Sequence, residues 1–156
     1  MLTDQPGWNG DYTLDYNFQS PWFGVLSSNH QELTGSYLST VFAQLPGAAA
    51  QAQQYLAAFH NMTGCPATAL KFQQHISAFG GGDLNTAWER ENGQFMQWTG
   101  SWSAMLFIEH FEYTRDMKTM VEMSFPLLTG LLDFWRPVFL KAIPRLGLCK
   151  QPLLTP

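Results

Sequence analysis

Asp15-Tyr16-Asn17-Phe18-Gln19 is the densest group of chemistry-bearing side chains in the sequence, set inside WNGDYTLDYNFQSPWFG and just ahead of Ser27-Ser28-Asn29-His30. An acid and two amides can hydrogen-bond hydroxyls and hold a water, while flanking aromatic faces cover the apolar side of a sugar ring. Polyols are the natural ligand for that mixture. The same Asx side chains also suit hydrogen bonds to their own loop backbone. A second group is Glu109-His110-Phe111-Glu112-Tyr113. On a helix, Trp102, Leu106, Glu109 and Tyr113 share one face, so the Glu109 carboxylate stands in an apolar stripe. Desolvation there would raise its pKa and suit it to general-acid work. A solvated stripe edge is the alternative.

Other chemistries lack their residues. The four histidines form no HExxH, and two cysteines 84 residues apart form no CxxC pair, so no metal site is expected. Gly80-Gly81-Gly82 is followed by Asp83 rather than Lys-Ser/Thr, which excludes a P-loop. No cofactor is implied.

The elements that must position these residues read as all-α. Residues 1–30 carry Pro6, Gly7, Gly10, Pro21 and Gly24 among six aromatic side chains. That is an ordered loop lying on a core or lining a pocket, since disordered segments avoid aromatics. Residues 31–60 read as a helical hairpin. Leu33, Tyr37, Leu38, Val41, Phe42 and Leu45 recur at helical steps, and Pro46 suits the first turn of a second helix running to about Phe59. Residues 61–97 hold no sustained period and read as one long loop. Residues 98–140 give a second hairpin. Its corner is at Arg115-Asp116, with Asp116 as N-cap of a helix bearing Met120, Val121, Phe125, Leu128, Leu131, Leu132 and Trp135 inward and a kink at Pro126. Met117, Met120 and Met123 read as gap-filling core, and residues 141–156 as an irregular tail. The whole is treated as one partial domain.

Only 20 of the 156 residues are charged, 13%, against about 25% in a typical soluble domain. A net charge of -4 offers no footprint for phosphate backbones or anionic lipid, so neither nucleic acid nor a membrane surface is an expected partner. The most apolar stretch, Phe125 to Leu140, is broken by Asp133 and Arg136 and falls short of the roughly 20 apolar residues that span a bilayer. MLTDQPGWNGDY has neither a basic leader nor an apolar segment. Localisation stays open. Asn61-Met62-Thr63 is a glycosylation sequon if a parent protein is secreted, and Cys65 and Cys149 could pair or stay reduced.

WNGDYTLDYNFQSPWFGVLSSNHQEL resembles the segment that opens the catalytic toroid of glycoside hydrolase family 95, the inverting α-L-fucosidases and related α-galactosidases, which reads W-x-G-x-Y-T-x-N-x-N-x-Q-x-x-Y-W. WSAMLFIEHFEYTRDMKTMVEMSFPLLTGLLDFW resembles the family's later W-x-x-x-H-x-W-E-H-Y-x-x-T-x-D helix block. Together they cover about a third of the chain, in the expected order. The resemblance implies an (α/α)6 toroid, here incomplete, and hydrolysis of an α-fucosidic or α-galactosidic bond by inversion. The family's two water-positioning asparagines fall on Asp15 and Asn17, so position 15 carries a carboxylate that could activate water itself. Glu109 and His110 match the helix motif E-H-Y, with Phe111 replacing tyrosine.

The resulting expectation is a catalytic pair, Asp15 and Asn17, in a sugar pocket shaped by Trp8, Gln19, Trp22, Asn29, Glu109 and His110. The family's general acid is a glutamate in a later proline-rich segment, and no glutamate follows Glu122. The chain is therefore expected to be a fragment that is inactive alone. The remainder of its own domain would be a partner beside the carbohydrate. The alternatives are a non-catalytic glycan-binding module and a helical protein-interaction fragment.

Overall fold

The computed structural model describes residues 12–76, 96–139 and 149. Trp8, the glycine run 80–82 and most of the tail lie outside the described residues. The fold is all-α with a two-residue antiparallel ladder. β1 (Tyr12–Thr13) pairs with β2 (His75–Ile76), Tyr12 opposite Ile76 and Thr13 opposite His75.

The first hairpin is α1 (Thr34–Phe42), entered through a 3-10 turn at Gln31–Leu33, and α2 (Leu45–His60). Pro46 sits in the first turn of α2, where its missing N–H costs nothing. Asn61, in left-handed conformation, ends α2 by donating its backbone N–H to the Leu56 carbonyl. The second hairpin is α3 (Thr99–Ser103) and α4 (Met105–Thr114), then α5 (Met117–Thr119), a π turn (Met120–Ser124) and α6 (Phe125–Phe139). Arg115 turns left-handed at the corner, and the Asp116 carboxylate accepts from the Lys118 and Thr119 amides as the expected N-cap. The Thr119 hydroxyl and amide hold that carboxyl below its usual range.

α1 packs on α4, and α2 on α6. Tyr37, Leu38, Val41, Phe107, Leu127 and Leu131 share one core cluster with Leu14 and Phe72. Ala52, Tyr55, Leu56 and Phe134 form a second, beside which Cys65 is disulfide-bonded to Cys149. Among the described residues no helix is long and apolar enough to cross a membrane.

Two expectations are corrected here. Pro126 is the second residue of α6, directly after the π turn. The preceding turn widens to π geometry, which accommodates a residue with no N–H to give and a ring that crowds the preceding turn. The helix also passes through Pro137 to Phe139. Its buried side is Leu127, Gly130, Leu131 and Phe134, whereas Val121, Phe125 and Leu132, expected inward, are exposed. Met117 is likewise exposed and fills no gap in the core.

The described part of the stretch after α2, residues 61–76, is largely irregular, and part of it is buried. Residues 69–74 form a buried strap between the hairpins, with its backbone groups paired outward. Leu70 N–H donates to the Gly130 carbonyl, Lys71 N–H to Ala48, and the Phe72 carbonyl accepts from the Thr99 hydroxyl. Gly130 is where the strap crosses α6. A Cβ there would meet Leu70 side-chain atoms at 2.4 and 2.5 Å and the Thr68 carbonyl at 2.6 Å. Gly130→Ala is therefore expected to destabilise the fold by about 1–3 kcal/mol, measurable by urea unfolding; an unchanged midpoint would show that the strap yields freely.

Candidate active site

Leu14, fully buried, anchors the aromatic loop, and its N–H donates to the Gln74 carbonyl beyond the end of the β1–β2 ladder. The chain then turns sharply. Asn17 N–H donates to the Asp15 carbonyl at 2.9 Å across Tyr16, whose φ is 72°. An i to i+2 bond around a residue of positive φ is a γ-turn of the rare, strained kind, costing an aromatic residue on the order of 1–3 kcal/mol. Asp15 and Asn17 thus flank a single tight turn. One Asp15 carboxylate oxygen accepts from Gln74 Nε2 at 3.3 Å, which ties the acid to the strap.

Gln19 follows, only 3% exposed. Its Nε2 donates to the Leu14 carbonyl at 3.2 Å and to Ser103 Oγ at 3.1 Å. The Leu14 carbonyl can only accept, and the Ser103 hydroxyl spends its proton on the Thr99 carbonyl. The amide therefore has one possible orientation, and its buried Oε1 is left without a partner. Gln19 lines a small open pocket with Trp22, Tyr37, Trp102, Leu106 and Glu109. Tyr37 forms the floor. It stacks on Phe18, meets Trp22 edge-on, and donates its hydroxyl to the Ser103 carbonyl at 2.9 Å. Burial, with the Glu109 charge adding to it, pushes that hydroxyl well above its usual pKa, so it stays a donor.

The structure brings Gln19, Trp22 and Glu109 to one pocket; Asp15 and Asn17, on the turn just before Gln19, are not among the residues that line it. Asn29 lies apart, exposed at the end of the loop with φ 61°. His110 faces the other way. It is buried with Nδ1 2.9 Å from Thr34 Oγ1 and Nε2 3.6 Å from Asp116. Because the Thr34 hydroxyl proton goes to the Gln31 carbonyl at 2.7 Å, Nδ1 must be the donor. His110 therefore joins α1 to the α4–α5 corner rather than contacting the pocket. Gln74 and Tyr37 are site residues that the sequence reading missed. Gln74 lies in an aperiodic stretch with no signal, and Tyr37 reads as ordinary helix core.

A sequence model of the glycosyl hydrolase family 95 catalytic domain matches residues 2–155. The chain belongs to that family. No curated protein and no solved structure matches it significantly. Family 95 membership makes this chain catalytic-domain sequence of a glycoside hydrolase and carbohydrate the substrate class. Among the described residues no group of three His, Cys, Asp or Glu side chains could hold a metal ion.

Proposed function

We propose that this family 95 domain supplies the water-handling side of an inverting α-glycosidase acting on α-fucosyl or α-galactosyl linkages. The observation that carries the reading is the γ-turn that sets Asp15 and Asn17 on either side of Tyr16, with Asp15 tied to Gln74. In this mechanism Asn17 orients a water and Asp15 takes its proton as the water oxygen bonds to the anomeric carbon. The bond to the leaving oxygen breaks, and that oxygen receives a proton from a general acid. Gln19, Trp22 and Glu109 hold the sugar. The general acid is not assigned among the described residues, and the exposed side of α6 at Phe125, Leu132 and Phe139 is a surface on which further helices of the ring would pack.

The test is proton NMR of product anomers released from an α-fucosyl and an α-galactosyl trisaccharide, by this chain and by a longer protein carrying it. The expected result is a β-anomer first product from the longer protein alone. A retained α-anomer, or full turnover by the 156-residue chain, would overturn the reading.

A further inference from the structure

Tyr16 occupies a backbone conformation that glycine or asparagine would adopt with less strain, yet its ring is 56% exposed, so burial does not offset the strain. What the turn achieves is placement. The ring lies with its centroid 6.1 Å from Phe23, itself 57% exposed, and 6.3 Å from Trp102. Phe23 and Trp102 also line the pocket bordered by Gln19 and Glu109. An open aromatic face therefore borders a carboxylate acceptor. A ligand that satisfies both parts has an apolar face and hydroxyl donors on one rigid ring. That is a pyranose.

We propose that Tyr16, Phe23 and Trp102 form a stacking shelf for a sugar ring of the substrate, with one hydroxyl of that ring donating to the Glu109 carboxylate. This rests on the glycosidase reading for the substrate class and assigns Tyr16 a role in specificity rather than in proton transfer. A protein segment with exposed aromatics would use the same shelf without needing the Glu109 acceptor.

Two variants test it. Tyr16→Asn removes the ring and suits the positive φ, and Phe23→Ser removes an exposed ring. Each is titrated calorimetrically in the full chain with raffinose and with 2′-fucosyllactose, and each is melted. The expected result is about three- to tenfold weaker binding of whichever trisaccharide the unaltered chain binds, with the Tyr16→Asn melting temperature level or higher. Unchanged affinity in both variants, or no binding of either sugar by the unaltered chain, overturns the shelf. Weakened binding in a longer protein that hydrolyses neither sugar would leave the shelf standing and sink the glycosidase reading. Normal hydrolysis with KM unmoved by both variants would do the reverse.

Discussion

Replacing Asp15 by asparagine in an enzyme that carries this domain is expected to lower kcat by about 10²–10⁴-fold while moving KM little, since it removes a general base and keeps the shape of the side chain. The substitution also restores the residue typical of the resembling family motif, which makes the outcome diagnostic. Where Asp15 itself takes the proton, the amide cannot replace it. Activity surviving in the asparagine variant would mean that positions 15 and 17 only orient water and that another carboxylate is the base. Gln74 gives the comparison a control, because its Nε2 donates equally well to a carboxylate or to an asparagine oxygen. The geometry of the turn should therefore be preserved, and a loss of rate is chemical. Circular dichroism and melting of the variant check that it is.

The second large effect is on stability. Cys65 and Cys149 close a loop of 84 residues, and the bond lies beside the cluster of Ala52, Tyr55, Leu56 and Phe134. Removing it frees the unfolded chain by about 4.6 kcal/mol in the loop-entropy account. That is a large part of the 5–15 kcal/mol typical of a domain. Cys149→Ser, or reduction of the unaltered chain, is accordingly expected to shift the urea midpoint downward, with the two treatments agreeing. A midpoint unmoved by reductant would show that the bond adds nothing to the folded state.

Local rules carried the sequence reading where they act over a few residues. Pro46 at the start of α2 and Asp116 capping the α4–α5 corner stand as expected, because a missing N–H and a carboxylate acceptor act on the backbone immediately around them. That Gln19 and Trp22 meet at one pocket was legible for the same reason, both lying in one short loop. Trp8 lies outside the described residues.

Tertiary structure decided the rest wherever chain segments far apart in sequence meet. The last helix is apolar on more than one side, so periodicity could not choose between Leu127 and Phe125 for the core. The choice rests on the strap crossing at Gly130, some sixty residues after Leu70 in sequence. His110 and Glu109 are neighbours in the motif, yet helical geometry turns one toward Thr34 and Asp116 and the other into the pocket. The pairing of Cys65 with Cys149, the bond from Gln74 to Asp15 and the single allowed orientation of the Gln19 amide each depend on partners that only chain return supplies. The sequence by itself determined the helices, the family and the chemistry-bearing loop. Only the tertiary structure decided which side chains that loop meets, because distance in the fold, not spacing along the chain, sets hydrogen bonds, burial and the shape of a pocket.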